Sequence, residues 1–156
     1  MGEGCTIHAG AVLGSVGFQT TRADGRLHEL VHAGELVLEE GVVVLANAVL
    51  ARAVYRQASR IGRDSRIGAC AFVSHNVKLG QRCYVGHGAV VNGNVKVAND
   101  VWIGPSATIA NNLQVGEGAY LSLGAVVISD VAAGARVSGN FAVDHKGLLR
   151  ATAKLS

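Results

Sequence analysis

A histidine, a glycine and an asparagine lie eighteen residues apart and are the residues best suited to chemistry. His75 is followed by Gly93 and then by Asn111 at that spacing. A histidine, with an ordinary pKa of about 6.5, can take a proton from an attacking amine or hydroxyl. A backbone N–H of a residue without a side chain can stabilise the oxyanion of a tetrahedral intermediate. The pair predicts acyl transfer from a thioester, with His75 as general base and the Gly93 N–H as oxyanion donor.

A second polar column runs beside the first at the same spacing, and its members are Asn76, Asn94, Asn112 and Asp130. The candidate substrate-binding residues in the two columns are Asn76, Asn94, Asn111 and Asn112. Each asparagine taken singly is equally well explained as a turn residue, because Asn tolerates left-handed backbone. A lone corner histidine is often solvated and inert. The joint spacing of His75 and Gly93 is the observation that favours a site.

The spacing of eighteen has a structural meaning because the sequence has a period of six. Steps of six from Val31 to Ala133 visit eighteen positions, of which sixteen are Val, Ile or Leu. Neither a helix nor an ordinary strand has this period. It is the hexapeptide pattern of a parallel β-helix, in which three hexads make one coil and residues eighteen apart stack about 4.8 Å apart. We expect the register to run from Val31 without a slip.

The pattern fails in one internal segment and ends near the C-terminus. Residues 14–30 are predicted to form a loop that leaves the coil, with Asp24-Gly25 as a turn. About seven coils are expected within a β-helix domain of residues 1–142. Residues 143–156 are predicted to form a short C-terminal α-helix, capped by Asp144. The apolar face of that helix is expected to consist of Leu148, Leu149 and Leu155.

Composition narrows the class of protein. Charged residues make up 16% and aromatic residues 4% of the chain, and its 21 glycines suit a tightly wound, repetitive backbone. The mean hydropathy of +0.32 predicts apolar surface that is buried in an oligomer. A net charge of +3 argues against a nucleic-acid-binding face. The longest strongly apolar stretch, Val42 to Ala51, is too short for a membrane span.

The cysteines and the remaining histidines show no spacing typical of a metal site. Cys5, Cys70 and Cys83 are an odd number without CxxC spacing, which fits reduced thiols in a cytoplasmic protein. His87 lies twelve residues after His75, hence on another corner, and is interpreted as a structural or interface residue. The other histidines have no periodic relation to His75 and are expected at the surface or in loops, namely His8, His28, His32 and His145.

Three segments, in order, resemble motifs of one enzyme family. His75-Asn76-Val77-Lys78-Leu79-Gly80 is similar to the AHNVxIG motif of the UDP-3-O-acylglucosamine N-acyltransferases of lipid A biosynthesis. Gly14-Ser15-Val16-Gly17-Phe18 resembles their GSDGFGF segment. Residues 137–150 resemble their SGIPAxPHxxWLR segment, where the coil meets a C-terminal helix. The uridine-binding N-terminal domain of that family is not in this sequence, so the likeness is to the core solenoid.

The resemblance implies a left-handed β-helix and a homotrimer with active sites between subunits. It also implies an acyl-CoA or acyl carrier protein (acyl-ACP) donor, a sugar or nucleotide-sugar acceptor, and no bound cofactor or metal. His75 takes the place of the family's general base, Gly93 that of its oxyanion glycine, and Phe18 becomes a further candidate for substrate binding. Gln19 stands where the second glycine of GFGF is expected, and Asn112 stands where the family has a second histidine.

Basic residues are candidates for contact with the phosphates of coenzyme A or with an acidic carrier protein. Lys146 and Arg150 lie on the predicted helix. A cluster of arginines precedes His75, and it consists of Arg52, Arg56, Arg60, Arg63 and Arg66. Solvated faces or ion pairs between subunits explain these residues equally well.

Other functions of the same architecture stay open at this stage. One is an acetyl-CoA-dependent O- or N-acetyltransferase of a non-UDP sugar or natural product. Another is a trimeric scaffold without catalysis. A γ-class carbonic anhydrase holds zinc between subunits with histidines about five residues apart, whereas His75 and His87 are twelve apart.

Overall fold

Short parallel strands stack into three sheets that form the sides of a triangular prism. The computed structural model describes residues 1–154. The first sheet contains β1 (Thr6–Ile7), β6 (Val43–Val44), β9 (Arg66–Ile67), β12 (Tyr84–Val85), β15 (Trp102–Ile103), β18 (Tyr120–Leu121), β20 (Arg136–Ser138) and the antiparallel β21 (Val143–Asp144). The second contains β2 (Val12–Ser15), β7 (Val49–Ala51), β10 (Phe72–Val73), β13 (Val90–Val91), β16 (Thr108–Ile109) and β19 (Val126–Val127). The third contains β5 (Glu35–Leu38), β8 (Ala58–Ile61), β11 (Lys78–Leu79), β14 (Lys96–Val97) and β17 (Gln114–Val115).

The regular coils follow the predicted period. Wherever two strands of the run from β8 to β19 pair with each other, they are eighteen residues apart, as in Phe72 with Val90 and Tyr84 with Trp102. In the regular coils the second residue of each short strand points inward and is buried. The residue four positions later, which is small in most coils, joins it in the core. Seven strands, β1 to β20, stack in the first sheet, which agrees with the prediction of about seven coils.

The register slips in the N-terminal part of the chain, so the prediction of an unbroken register from Val31 is wrong there. Leu38, Val44 and Leu50 pair with residues twenty-three positions later, in a coil five residues longer than the rest. These residues point inward in place of the predicted Val37, Val43 and Val49. Adjacent aliphatic residues make both phases equally apolar, so hydropathy alone cannot choose between them.

The ends of the predicted register show the same error. Val31 and Tyr55, assigned to the inward row, are 77% and 61% exposed. Near the C-terminus, Val131 and Val137 pair with residues sixteen positions earlier, so the coil is two residues short. Ala133 consequently lies outside the core, and the inward positions there belong to the two valines.

The segment predicted as a loop forms a β-hairpin that projects from the prism. Its strands are β3 (Thr20–Ala23) and β4 (Arg26–Glu29), paired antiparallel. The predicted turn is present, with φ of 49° at Asp24 and 71° at Gly25, as a two-residue hairpin turn of the primed type requires. The hairpin leaves the prism after β2 and returns at β5. The five-residue insertion between β7 and β8 leaves at the same corner, between the second and third sheets.

The C-terminal helix α1 (His145–Ala153) packs against β20 and β21. Asp144 caps it as predicted, because its carboxylate accepts a hydrogen bond from the Gly147 N–H at 2.9 Å. Leu148 is half-buried, but Leu149 is 55% exposed, so the predicted apolar face is narrower than expected. Leu155, also assigned to that face, lies outside the described residues. No helix within residues 1–154 is long and apolar enough to cross a membrane.

The outward-facing side chains give the three faces of the prism different chemistry. The face of the first sheet carries stacked rings, with Tyr84 and Trp102 centroids 4.1 Å apart and Arg136 over the Tyr120 ring. The outward row of the second sheet is mostly apolar and half-buried, and it consists of Val49, Phe72, Val90, Thr108 and Val126. The third sheet carries a row of aligned polar residues, namely Arg60, Lys78, Lys96 and Gln114.

Candidate functional site

His75 lies at the corner of the prism from which both N-terminal insertions depart. It follows β10 of the second sheet and precedes β11 of the third. The regular coils place Gly93 and Asn111 at the same corner in the next two turns. Despite this corner position His75 is only 8% exposed. The chain on either side of the hairpin covers it, with Gly17 and His32 lying against the ring.

Two glycines enclose the His75 ring, one from each side. A methyl group on Gly93 would lie 2.5 Å from His75 Cε1 and 2.6 Å from Nε2. A methyl group on Gly17, where the hairpin leaves the prism, would lie 3.2 Å from His75 Cδ2. Both positions therefore require the absence of a side chain for the imidazole to keep its place. Gly93 was predicted from spacing, whereas Gly17 was not singled out by itself.

Burial shapes the acid–base properties of His75. Burial is the main reason that the pKa of His75 lies below its ordinary value, and the neighbouring His32 lowers it further. Both effects disfavour the imidazolium form. At neutral pH His75 is therefore neutral and able to accept a proton.

The Gly93 N–H, the predicted oxyanion donor, has a partner in this structure. It donates a 2.9 Å hydrogen bond to the side-chain oxygen of Asn111, one coil further along. Asn111 is exposed at its corner. If the Gly93 N–H binds an oxyanion as predicted, the substrate oxygen has to replace this amide oxygen.

The second polar column forms an amide ladder. Asn76 donates to the side-chain oxygen of Asn94 at 2.9 Å, and Asn94 donates to that of Asn112 at 3.0 Å. All three have positive φ, between 58° and 65°. Positive φ and hydrogen bonds between coils therefore explain these asparagines as corner residues. Their assignment to substrate binding stays a prediction. Asp130 departs from the ladder, and its carboxylate accepts from the Gln114 N–H.

His32 belongs to the site. It lies in the loop between β4 and β5, as one of its two predicted locations allows, but the prediction of a surface position is wrong. It is 1% exposed and packs against His75, with ring centroids 5.5 Å apart and planes at 74°. The 37-residue coil that contains the hairpin, in which Leu13 pairs with Leu50, hides this relation from any fixed period. No signal in the spacing of the sequence could have found it.

The other histidines agree better with their predicted roles, except His145, which is neither exposed nor in a loop. His87 is exposed at a different corner, and its Nδ1 accepts from the Ala69 N–H at 2.9 Å, so it is a structural residue. His8 and His28 are exposed. His145 is half-buried at the start of α1, where its Nδ1 lies 2.8 Å from Ser138 Oγ.

The remaining candidates are spread over the molecule. Phe18 is 90% exposed and follows Gly17 directly. Lys146 and Arg150 lie on α1, which packs on the C-terminal end of the prism, three coils from His75. Among the clustered arginines, Arg63 pairs with Glu40 at 3.2 Å and Arg66 donates to backbone carbonyls. Arg60 instead joins the basic row of the third sheet.

A cavity borders that basic row close to the His75 corner. Its volume is about 590 Å³, and it is lined by residues that include Arg56, Arg60 and Lys78. Within residues 1–154 we find no cluster of three or more His, Cys, Asp or Glu side chains that could hold a metal ion. The three cysteines are free, and only Cys83 is buried.

The fold and the repeat are typical of hexapeptide-repeat transferases, and comparisons with known proteins agree. Residues 58–93 match the model of the bacterial transferase hexapeptide (six repeats). A UDP-N-acetylglucosamine acyltransferase from Bacteroides fragilis 9343 has a similar structure, with a TM-score of 0.80, 17% identity, and coverage of 96% of this chain and 58% of that chain. A perosamine N-acetyltransferase from Caulobacter crescentus, in complex with CoA and GDP-perosamine, gives a TM-score of 0.72, 22% identity, and coverage of 91% and 56%. The predicted fold class, a left-handed parallel β-helix with a short C-terminal helix, is confirmed.

Sequence similarity points to a particular family within that class. The UDP-3-O-acylglucosamine N-acyltransferase of Caulobacter sp. (strain K31) is 36% identical over 83 residues, which are 53% of this chain and 24% of the relative. The enzyme of Methylococcus capsulatus is 34% identical over 84 residues, or 53% and 23%. The resemblance predicted from three motifs is thus confirmed over about half of the chain. The matched segment spans about a quarter of the length of these curated relatives.

Proposed function

We propose that this chain forms the core of an acyltransferase. It moves an acyl group from an acyl thioester, acyl-CoA or acyl-ACP, to an amine or hydroxyl of a sugar or nucleotide-sugar. His75 acts as the general base and the Gly93 N–H as the oxyanion donor. The observation that carries the proposal is the buried His75 ring lying directly against Gly93 of the next coil.

The environment of His75 supports a base more than a structural histidine. Its lowered pKa keeps the imidazole neutral at pH 7, so a lone pair is available. Nδ1 is buried and has no hydrogen-bond partner within residues 1–154, so we assign proton transfer to Nε2. During the reaction Nε2 takes the proton of the acceptor as that nucleophile attacks the thioester carbonyl. The leaving thiolate of the donor then receives the proton back from Nε2.

The Gly93 N–H supports the same reaction step. In the free protein its partner is the Asn111 amide oxygen, at 2.9 Å. We propose that the carbonyl oxygen of the thioester replaces that oxygen and becomes the oxyanion. The Gly93 N–H is thereby held in place before substrate binds. Loss of one such N–H donor in other enzymes costs roughly 3–4 kcal/mol of transition-state stabilisation.

The basic row of the third sheet supports an anionic donor. Arg60, Lys78 and Lys96 are direct neighbours across the strands, and like charges so placed repel each other. A bound phosphate would relieve that repulsion. We therefore propose that this row, more than the distant Lys146 and Arg150, contacts the phosphates of coenzyme A or of the carrier-protein prosthetic group.

The apolar outward row of the second sheet supports a homotrimer. Phe72 and Val90 are half-buried in a single chain although they point away from the core. Packing a second copy on this face would remove the row from water. Because the face ends at the His75 corner, the active site would lie between subunits. The cytoplasmic location inferred from the cysteines likewise stays a prediction.

A transfer assay on the purified chain tests the proposal. The chain is incubated with acyl-CoAs from acetyl to long-chain, or with acyl-ACP, and with amino sugars and nucleotide-sugars. Release of free thiol is followed, and products are identified by mass spectrometry. We expect His75→Ala to lower the rate roughly 10²–10⁴-fold, the usual contribution of a general base.

His87→Ala is the matched control because His87 is an exposed corner histidine of the same repeat. We expect the control to keep the wild-type rate, and both variants to keep the oligomeric state by light scattering. A His75→Ala variant as active as the control would refute the mechanism. Absence of thiol release with every donor would favour the scaffold function instead.

A further inference from the structure

His32 and His75 each have a buried ring nitrogen without a hydrogen-bond partner. Within residues 1–154, His32 Nε2 and His75 Nδ1 are both in this state. A buried polar atom left unpaired costs free energy, so such atoms need an explanation. Here the two atoms belong to neighbouring rings, whose centroids are 5.5 Å apart.

The tautomer of a neutral His32 is fixed by its other nitrogen. His32 Nδ1 lies 3.0 Å from the Leu30 carbonyl oxygen. A carbonyl only accepts, so Nδ1 must carry the hydrogen. Neutral imidazole has one N–H, and His32 Nε2 is therefore a buried acceptor.

The protonation of His75 is fixed by its role. If Nε2 accepts the proton from the substrate, it must carry the lone pair, and Nδ1 must then carry the hydrogen. His75 Nδ1 is consequently a buried donor without an acceptor. The acceptor on His32 and the donor on His75 are complementary.

A turn of one ring brings the two atoms together. The position of a methyl group on Gly17 is 2.7 Å from His32 Nε2 and 3.2 Å from His75 Cδ2, so these two atoms border the same small space. Rotation of the His75 ring by half a turn about its Cβ–Cγ bond exchanges Cδ2 with Nδ1. The Nε2 and Cε1 atoms exchange as well, and both lie at nearly equal distance from the Gly93 methyl position.

We propose that His32 is a positioning residue whose Nε2 accepts a hydrogen bond from His75 Nδ1–H, which holds His75 with its Nε2 lone pair towards the substrate. The proposal rests on the function proposed above for His75. It adds a residue supplied by the hairpin segment. As placed, His75 Nδ1 has no hydrogen-bond partner within residues 1–154, so the pairing with His32 uses the turned ring.

The tautomer of His75 tests the proposal without any assay of activity. Long-range ¹H–¹⁵N correlation spectra of the ¹⁵N-labelled chain distinguish Nδ1–H from Nε2–H imidazole, and a His75→Gln variant assigns the signal. We expect Nδ1–H in the wild type and Nε2–H in His32→Phe, which keeps a ring but has no nitrogen. His32→Gln, whose amide oxygen can accept at the position of Nε2, should restore Nδ1–H.

Kinetics give the second readout. We expect His32→Phe to lower kcat about tenfold with little change in KM, and His32→Gln to recover most of the loss, a fraction of the full general-base contribution. His28→Phe, the same change at an exposed position of the hairpin, should match the wild type. Melting curves check that each variant is folded.

Two results would overturn the proposal: an Nε2–H tautomer of His75 in the wild type, or an unchanged tautomer in His32→Phe. If His32→Phe fails to fold, the wild-type and His32→Gln spectra still decide. An Nδ1–H tautomer in a chain that transfers no acyl group would support the pairing and refute the proposed function, so the two failures are distinguishable.

Discussion

The regular coils and the two N-terminal insertions differ in what they contribute to the site. From β9 to β19 the chain repeats every eighteen residues, and this repetition alone aligns His75 with Gly93. The insertions follow no period, yet the one that contains the hairpin supplies Gly17 and His32, which both lie against the His75 ring. Periodic backbone fixes the distance between the two groups proposed to be catalytic, and aperiodic backbone fixes the environment of one of them.

We therefore expect the regular coils to determine the stability of the fold, and the hairpin insertion to contribute little to it. Nearly all fully buried large side chains come from the coils, whereas β3 and β4 are exposed along their whole length. In a stacked repeat each coil contacts only its neighbours, so local damage stays local. The following variants test the separation, in order of expected effect.

The largest effect on stability is expected from Ile103→Ala, a fully buried position of a regular coil. Removing a buried aliphatic side chain costs about 2–5 kcal/mol of unfolding free energy. Leu27→Ala, at a 66% exposed hairpin position, should cost almost nothing. Urea denaturation measures both, and equal losses would show that the hairpin is part of the core.

Gly93→Ala should act mainly on activity. The added methyl group would lie 2.5 Å from the His75 ring, and displacement of a catalytic group by about 1 Å can cost roughly 10²-fold in rate. The matched control is Gly147→Ala on α1, where the nearest atom to the methyl position is 3.6 Å away. It should leave the rate unchanged. A Gly93→Ala variant with full activity would mean that the reaction does not take place beside His75 and Gly93.

The amide ladder separates turn residues from substrate-binding residues. Asn94 has φ of 62°. Asn94→Gly therefore leaves the backbone unstrained, whereas Asn94→Ala adds strain of roughly 1–2 kcal/mol. We expect Ala to lower the melting temperature more than Gly, with KM unchanged in both. A raised KM in Asn94→Gly would instead place the side chain in the acceptor site.

The smallest effect concerns pH. Because the folded chain binds a proton at His75 at lower pH than the unfolded chain does, the unfolded state binds more protons as pH falls below about 6.5. Stability is then lost with acid. We expect urea midpoints at pH 7.5 and pH 5.5 to differ more for the wild type than for His75→Asn. The acidic limb of kcat/KM should correspondingly lie below the ordinary histidine pKa.

The sequence predicted the class of fold and one column of the site, and the reasons are physical. A six-residue period is typical of the hexapeptide β-helix. The predicted alignment of His75 with Gly93 was correct because the register error of one residue affects only positions up to Leu50. The same period could not place His32, because its position depends on how a 37-residue coil folds back. The partner of the Gly93 N–H was equally hidden, since side-chain rotamers leave no trace in spacing.

The amide column shows the opposite limit. Its spacing was correct, but hydrogen bonds between neighbouring coils satisfy Asn76 and Asn94 without any ligand. Spacing reports which residues are stacked and is silent on whether they bind one another or a substrate. Only His75, buried where a free corner histidine would be solvated, carries a feature that stacking does not explain.

The stacked rings on the first sheet make the molecule observable by light. Trp102 is the single tryptophan of the chain, and it lies between Tyr84 and Tyr120 with ring planes tilted by only 7°. Excitation of the tyrosines will therefore transfer efficiently to one emitter, and the transfer ends as soon as those three coils separate. This transfer to Trp102 reports the separation of the coils that carry β12, β15 and β18. Changes confined to the hairpin would leave this stack in place, so the transfer distinguishes the two regions in one sample.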